Sequence, residues 1–308
     1  MDAIRAELTK SLVSNFILEA LILTPDSVPL SRNIEDYPEG IIIPIDKPYR
    51  WTSADVIRKI KYAAIRHFGN KKLKVGHAGT LDPLATGVLL VCIGKATKLA
   101  EELQSHDKEY VAGVTFGATT PSYDLEKEID RFFPYEHITE DSVAEALPAF
   151  IGEQDQIAPL FSAKSVDGVR AYELARKLHA EGKTLDEAAQ ELIRVSKINI
   201  TALKLEEYYS GVAGCPENSD ASLAAKVIGE AIPKASSRIN VTDNSALGLP
   251  RAVIRMACSK GTYVRAFARD LGEKLGSGAH LDSLQRSRSG IFRVENALTV
   301  EQAVQALS

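Results

Sequence analysis

The chain has 308 residues, enough for one large domain or two small ones, and its 45% hydrophobic content supports a sizeable core. The cysteines at positions 92, 215 and 258 are too scattered for a disulfide scaffold or a paired-cysteine metal site, so we expect no metal. Because no apolar stretch is long enough to span a bilayer and the N-terminus lacks a signal-peptide pattern, the sequence predicts a cytoplasmic protein without a membrane partner.

Charge is unevenly distributed along the chain. The formal net charge of −4, taken alone, speaks against a nucleic-acid partner, but binding depends on local patches. Residues 58–74 and 255–293 are locally basic, whereas acidic residues concentrate elsewhere, for example in 124–130 and 186–191. From the residues alone, each basic run is either a solvated helix face or a nucleic-acid-binding surface, and both interpretations stay open.

The first 39 residues are predicted to be an N-terminal extension with one amphipathic helix. Apolar residues recur there at helical spacing, at Ile4, Leu8, Leu12, Phe16 and Ala20. The prolines at positions 25 and 29 then interrupt the pattern. We interpret the helix as a packing appendage, with the docking of a partner as the alternative.

The next segment contains a strand, a turn and a helix. Residues 40–45 form an apolar run that is typical of a buried strand. A Lys-Pro turn follows at residues 47 and 48. A helix is predicted over residues 54–68, with Thr52 or Ser53 as its cap.

The stretch 75–98 presents one carboxylate from a constrained loop above a buried strand. It opens with a predicted Gly-x-x-Gly turn at residues 76–79, places Asp82 directly before Pro83, and continues as an apolar strand over residues 88–93. Asp-Pro is also a good helix start, with Asp as the N-cap and Pro at the first helical position. The dipeptide alone favours the cap, and the two interpretations are compatible.

The rest of the chain alternates predicted helices and strands: a helix over 96–103, a strand over 108–114, a polar loop over 117–130, an acidic helix over 140–150, a strand pair within 193–208, a strand and a helix within 252–274, and a helix over 300–307. Residues 210–250 shift towards Gly, Ser, Asn and Ala. We interpret that segment as a partly mobile insertion between two strands of the same domain.

The string GHAGTLDPLATGVL, residues 76–89, closely resembles the catalytic motif of the TruB family of tRNA pseudouridine synthases. Other stretches resemble further motifs of that family: IDKPYRWTS at 45–53, KEYVAGV at 108–114, QDQIAPLFSAKSVDGVRAYELARKL at 154–178, SKGTYVR at 259–265 and GSGAHLDSLQR at 276–286. The resemblance covers residues 40–307, except the insertion.

The resemblance implies an α+β pseudouridine synthase fold, with a large, mixed, mostly antiparallel central sheet flanked by helices and loops. The catalytic domain would occupy residues 40–308 and would include an RNA-gripping segment at about 154–184. Many members of the family carry a small C-terminal RNA-binding domain after this region, and we expect none in this sequence.

The resemblance also implies which residues act on the nucleotide. The Asp of the G-x-L-D-P core is the essential acid of the family, and here it is Asp82. By position, Tyr110 packs against the target base, Arg265 pairs with Asp82, and Tyr263 and Leu284 line the pocket. For Tyr110, periodicity alone favours a core tyrosine whose hydroxyl is satisfied.

Four further residues are implied as contacts with the RNA. His77 would insert where the flipped nucleotide left, or it would satisfy the backbone of its own loop. Lys164 and Arg170 are candidate phosphate contacts. Arg286 would lie near the RNA.

The family converts the T-loop uridine of tRNA, position 55, to pseudouridine, and this chemistry needs neither a cofactor nor a metal. The implied partner is tRNA, and we expect a monomer. One departure is Arg50, because the family usually has a glycine there; if that glycine serves a positive φ, the local turn must differ. A pseudouridine synthase for another RNA, and a non-catalytic RNA-binding or RNA-folding protein with the same fold, remain alternatives.

Overall fold

The computed structural model describes residues 19–27, 29–159, 165–166, 169–170, 195–211 and 239–308. Most of the predicted N-terminal helix, of the segment 154–184 and of the insertion 210–250 lies outside these residues. Within the described chain, no helix is long and apolar enough to cross a membrane.

The described elements alternate strands and helices along the chain. The strands are β1 (Leu21–Ile22), β2 (Ile41–Lys47), β3 (Val75–Ala78), β4 (Ala85–Ile93), β5 (Lys108–Phe116), β6 (Ala118–Thr119), β7 (Arg131–Phe132), β8 (Gly152–Gln156), β9 (Ser165–Val166), β10 (Val169–Arg170), β11 (Ser196–Tyr209), β12 (Arg251–Cys258), β13 (Ala279–Ser289) and β14 (Phe292–Arg293). The helices are α1 (Ser53–Phe68), α2 (Ala100–Ser105), α3 (Glu140–Ala146), α4 (Val264–Lys274) and α5 (Val300–Ala306).

Ten of the described strands belong to one mixed sheet. Strand β1 pairs with β2 in parallel, whereas β2 and β3 each pair with β4 in antiparallel fashion. Strand β11 is antiparallel to both β8 and β12. With helices packed beside the strands, this is the α+β architecture with a mostly antiparallel sheet that the sequence predicted, and the fold class is confirmed.

The chain divides into two compact units, and the first contains the described residues 19–110 and 285–308. The apolar run at the start of β2 is completely buried, because the strand is covered on both faces. Helix α1 begins at a capping box, in which the Thr52 hydroxyl accepts a hydrogen bond from the Asp55 backbone N–H and the Asp55 carboxylate accepts one from that of Thr52. One face of α1 packs towards β3, β4 and α5.

The second unit contains the described residues 111–211 and 239–284. Its central element, β11, is one strand of 14 residues, so the prediction of a strand pair in this region was wrong. Two register shifts, at Ile200/Ala202 and Leu205/Glu207, interrupt its pairing with β12. Helix α4 packs Phe267 edge-on against Phe150, with ring centroids 5.3 Å apart.

Several predicted element boundaries change for local reasons. The helices predicted over 54–68 and 300–307 are confirmed as α1 and α5. The helix predicted over 96–103 begins instead as a 3-10 segment, Gly94–Leu99, before α2. The helix predicted over 140–150 ends at Ala146 and tightens into a 3-10 segment that contains Pro148, which has no N–H for the α-helical ladder.

Candidate active site

Asp82 lies in the loop that joins β3 to β4. Its backbone carbonyl accepts a hydrogen bond of 3.1 Å from the Ala85 N–H, which closes a β-turn with Pro83 at its second position. Strand β4 begins directly after this turn, so the interpretation of Asp82 as a helix N-cap was wrong. Asp82 is partly exposed and occupies the first position of this turn.

The turn is fixed to the start of α1. The Leu81 backbone N–H donates to the Ser53 hydroxyl at 3.0 Å, and that hydroxyl donates to the Leu81 carbonyl at 3.2 Å. Ser53 is the first residue of α1 and is buried. The helix therefore holds the residue that precedes Asp82 by both backbone polar groups.

Arg286 fixes the same loop from β13. Its guanidinium donates to the carbonyls of Gly79 at 3.1 Å, Thr80 at 3.5 Å and Val88 at 2.7 Å. The side chain is only 1% exposed, and all three guanidinium nitrogens are used by backbone carbonyls. The buried guanidinium therefore binds the two ends of the loop between β3 and β4, and the prediction that Arg286 lies near the RNA stays a prediction.

Gly87 allows β4 to approach the backbone of Arg286. Its φ is +96°, and a Cβ built there would lie 2.3 Å from the Arg286 carbonyl oxygen. Only glycine fits this contact, which explains the third glycine of the motif, Gly87, in physical terms.

Lys47 lies beneath the Asp82 turn and was identified in the sequence only as part of a turn. Its side chain is completely buried, and Nζ donates to the carbonyls of Pro48 at 2.9 Å, Trp51 at 2.6 Å and Pro83 at 3.2 Å. Burial lowers the pKa of Lys47 to about 7, against the attraction of Asp82, which raises it. Lys47 therefore links the Lys-Pro turn to the Asp82 turn.

The Lys-Pro turn contains a non-glycine residue with a positive φ, at the position where the family usually has a glycine. Arg50 has a φ of +62°, in the left-handed region that non-glycine residues rarely adopt. An arginine can therefore adopt a positive φ at this position, and a positive φ alone does not require a different turn. The arginine adopts the strained conformation within a segment that the Lys47 ammonium holds at two carbonyls.

His77 lies on β3, and the predicted turn over residues 76–79 is a strand that ends at Ala78. The first positive φ in this stretch occurs at Gly79, at +89°. The imidazole is half-buried, and burial, together with the positive charge of Arg286, lowers the pKa of His77. A neutral imidazole can stack on a base, and the role of His77 in the RNA complex stays a prediction.

Tyr110 lies in β5, in the same unit as Asp82, and is half-buried. The two residues that precede it in the strand are held by hydrogen bonds. The buried Lys108 ammonium donates to the carbonyls of Gln104 and His106, and the Glu109 carboxylate accepts a hydrogen bond of 2.8 Å from the Ser287 hydroxyl.

In the second unit, Tyr263 occupies the N-cap position of α4, directly before the helix that carries Arg265. The buried Gln156 side chain holds this helix start. Its Nε2 donates to the Tyr263 carbonyl at 3.2 Å, and its Oε1 accepts from the Tyr263 N–H at 2.8 Å. Gln156 lay inside a segment that the sequence assigned to RNA gripping, and its structural role was missed.

Arg265 is buried and has a carboxylate neighbour in its own unit. Its Nη1 donates to the Ser122 carbonyl at 3.0 Å and lies 3.7 Å from Oδ2 of Asp124. Asp124 is itself positioned by the Ser122 hydroxyl at 2.6 Å and by the Glu126 N–H at 3.0 Å. The pairing of Arg265 with Asp82 stays a prediction.

Sequence reasoning assigned Asp124 to a polar loop without a role. The structural signal is the intervening Tyr123, whose φ of +56° places a non-glycine residue in the left-handed region. Such strain persists only where the surroundings impose it, and it concentrates at functional sites. In the sequence, only the Ser-x-Asp pattern of residues 122–124 could have indicated a role for Asp124.

Leu284 is half-buried on β13, next to a charged cluster. Arg251 binds Asp282 with two hydrogen bonds, of 2.5 Å and 3.0 Å, and Thr115 donates to the same carboxylate at 2.8 Å. Although burial opposes it, the Arg251 guanidinium and these hydrogen bonds lower the pKa of Asp282. Gly113 lies against the cluster, since a Cβ there would be 2.2 Å from the Asp282 carboxylate.

Little is described of the two predicted phosphate contacts, Lys164 and Arg170. Lys164 falls outside the described residues. The backbone of Arg170 pairs with that of Ser165 in the small antiparallel pair β9–β10, and nothing is described of the Arg170 side chain. Among the described residues, no cluster of His, Cys, Asp and Glu side chains could hold a metal ion.

Comparison with known proteins identifies two matching family models. The model described as TruB family pseudouridylate synthase (N terminal domain) matches residues 66–215, and the tRNA pseudouridylate synthase B C-terminal domain matches residues 265–308. Relatives named tRNA pseudouridine synthase B are 47% identical in Phocaeicola vulgatus and 44% identical in Bacteroides thetaiotaomicron; each match covers 86% of this chain and 92% of the relative.

Solved structures share the fold at lower identity. A chain in the crystal structure of a Cbf5-Nop10-Gar1 complex matches with a TM-score of 0.54 and 24% identity over 92% of this chain. A chain in an H/ACA RNP bound to a substrate RNA containing 2′-deoxyuridine matches with a TM-score of 0.52 and 22% identity. The present chain covers 58% and 57% of the lengths of those two chains.

Proposed function

The chain belongs to the TruB family of tRNA pseudouridine synthases, and we propose that it isomerises the uridine at position 55, in the T-loop of tRNA, to pseudouridine. The observation that carries the proposal is the presentation of Asp82, within a motif that resembles the catalytic motif of the family. Ser53 binds the backbone of Leu81, which precedes Asp82, and Lys47 binds the carbonyl of Pro83, which follows it. Asp82 lies between them and is partly exposed.

The reaction rearranges bonds within one nucleotide. The N1–C1′ glycosidic bond breaks, the uracil turns, and a C5–C1′ bond forms. The proton at C5 leaves and N1 gains one, so atoms and electrons balance without an oxidant or a second substrate. This chemistry requires a positioned carboxylate, a pocket that retains the free base and a path for one proton.

Asp82 is the proposed catalytic carboxylate. Three routes are consistent with a single acid: covalent addition at C1′, addition at C6, or removal of a proton from C2′ to give a glycal-like intermediate. In each route the carboxylate must be aimed and ionised. We propose that Arg265 pairs with Asp82 for this purpose, since an opposing guanidinium favours the charged form of a carboxylate.

The freed uracil must be held without being locked in one orientation. We propose that Tyr110 packs against the base and that Tyr263 and Leu284 line the pocket, because apolar and aromatic walls exclude water yet allow the ring to turn. Tyr110, or a water relayed by Asp82, would then accept the C5 proton.

The target nucleotide must be flipped out of the T-loop, at a cost on the order of a few kcal/mol for unstacking. We propose that His77 fills the space that the nucleotide leaves, and that Lys164 and Arg170 contact phosphates. The enzyme would act as a monomer in the cytoplasm, where tRNA is modified, and size-exclusion chromatography with light scattering tests the monomer.

The test is pseudouridine formation in unmodified tRNA transcripts, with the product located by position. Wild type should convert the T-loop uridine, and Asp82→Asn should form no product while still binding tRNA. Asp107→Asn is the matched control, because it makes the same chemical change at an exposed carboxylate. It should retain full activity.

Other results would identify the alternatives. Product at a uridine in another RNA, with none in tRNA, would indicate a pseudouridine synthase of different specificity. Binding of tRNA without product from wild type would favour an RNA-binding or RNA-folding protein. Equal activity of wild type and Asp82→Asn would refute the catalytic assignment itself.

A further inference from the structure

A cluster of cations lies on the exposed side of α1 and on the loop that follows it. Helix α1 buries Val56, Ile60 and Ala64 on its inner face. Its outer face and the loop carry exposed side chains that we call the basic ridge: Arg58, Lys59, Lys61, Tyr62, Arg66, Lys71, Lys72 and Lys74. No Asp or Glu occurs between residues 56 and 74.

Among the described residues, the basic ridge has a single acidic partner in an ion pair. Arg58 forms an ion pair of 2.9 Å with Asp55. Within the described part of the chain, none of the other six cations forms a salt bridge. In a chain with a net charge of −4, a patch of this kind concentrates positive potential on one side of one helix.

An exposed aromatic ring lies among these cations. Tyr62 is 72% exposed, far more than the core aromatic residues. Residues four apart lie on one face of an α-helix, so Tyr62 stands between Arg58 and Arg66. Aromatic rings among cations suit RNA, because the ring stacks on an unpaired base or packs on a ribose while the cations bind phosphates.

The ridge also begins close to the reacting residue. Helix α1 starts at Ser53, whose hydroxyl binds the backbone of Leu81 next to Asp82. From there the helix runs away from the catalytic loop, and Arg58 and Arg66 lie about 12 Å apart along its axis. An RNA strand that leaves the target nucleotide along this direction would meet successive positive charges.

We infer that the basic ridge is a second RNA contact, which binds phosphates of the tRNA beyond the target loop and places Tyr62 against an unpaired base or a ribose. The inference rests on the proposed function, since it concerns the same RNA. A membrane surface does not fit, because the apolar face of α1 is buried in the core and cannot enter a bilayer.

The test removes three charges from the ridge in the variant Lys59→Gln/Lys61→Gln/Arg66→Gln, since glutamine keeps the helix propensity of these exposed positions. The control is Lys95→Gln/Lys197→Gln/Lys204→Gln, which removes the same net charge at lysines that already pair with Glu39, Asp155 and Glu206. The equilibrium Kd for tRNA is measured between 50 and 200 mM salt, together with kcat and KM.

In the ridge variant, the slope of log Kd against log salt should be lower by about 2 to 3. Raising the salt from 50 to 200 mM should therefore weaken wild-type binding about 30-fold more than it weakens binding by the ridge variant. Its KM should rise while kcat stays unchanged. Tyr62→Ala should also weaken binding, and Tyr62→Phe should not, because phenylalanine keeps the ring face. Thermal unfolding should be unaffected, since these side chains are exposed.

The inference is overturned if the ridge variant and the control variant have the same Kd and the same salt slope. In that case wild type can still form pseudouridine, and the proposed function stands. Conversely, if wild type forms no product in any transcript, the proposed function fails, while the Kd measurements still decide whether the ridge binds RNA.

Discussion

Arg286 provides the sharpest test of how the site is built, because the sequence and the structure give it different roles. In the variant Arg286→Met, the carbonyls of Gly79, Thr80 and Val88 lose their donor. Each buried carbonyl left without a partner costs about 1–3 kcal/mol. Since the loop can relax in part, we expect a loss of about 3–5 kcal/mol in the free energy of unfolding.

The same change should impair catalysis through the position of Asp82. Two of the three carbonyls belong to the loop that carries this residue, and a displacement of about 1 Å at a reacting group can cost on the order of 100-fold in rate. We therefore expect kcat to fall by roughly that factor while KM for tRNA changes little. Steady-state kinetics on unmodified transcripts and urea denaturation measure the two effects.

Two further variants of β13 sharpen this test. Arg286→Lys should recover only part of the activity, because an ammonium cannot reproduce the fork of a guanidinium. Arg288→Met is the control, since Arg288 is partly exposed and donates one hydrogen bond, of 2.9 Å, to the Gly290 carbonyl. If Arg286→Met raised KM and left kcat and stability unchanged, Arg286 would be an RNA contact and our reasoning would be refuted.

Two other substitutions test the packing and the electrostatics. Gly113→Ala should destabilise the protein by about 1–3 kcal/mol in urea denaturation, because its Cβ would lie 2.2 Å from the Asp282 carboxylate. Gly76→Ala, whose nearest neighbour is 4.0 Å away, is the control, and equal effects would contradict the argument. The pKa of Lys47 is about 7 in the fold against 10.5 in the unfolded chain, so the unfolded state binds more protons above pH 7. The contribution of this group to the free energy of unfolding should rise from pH 7 to 10 by up to about 1.4 kcal/mol per pH unit. Lys47→Met should remove this rise, as measured by urea denaturation at each pH. Equal pH slopes for wild type and Lys47→Met would show that Lys47 stays charged.

The elements that the sequence predicted well are those with strong local signals. The helix over 54–68 has a cap, a periodic apolar face and a glycine at its end, and Gly69 indeed adopts a left-handed φ of +63°. The apolar runs of β2 and β4 are buried, as their composition indicates. By contrast, the local sequence of β11 predicts two strands where the structure has one. Whether a strand continues or turns depends on the strands that pair with it on both sides, which the local sequence does not show.

The loop between β3 and β4, which carries Asp82, shows the same limit at the level of single residues. A motif identifies Asp82, but what holds Asp82 comes from Ser53, Lys47 and Arg286, which lie far from it in the sequence or bond only to its backbone neighbours. Spacing along a chain carries no information on such contacts. An arginine near a presumed RNA site is therefore assigned to the ligand by default, and only its burial reveals that it serves the loop. The distinction has a practical consequence: basic residues of this family should be assigned to RNA only when their guanidinium or ammonium groups are exposed, as those of the basic ridge are.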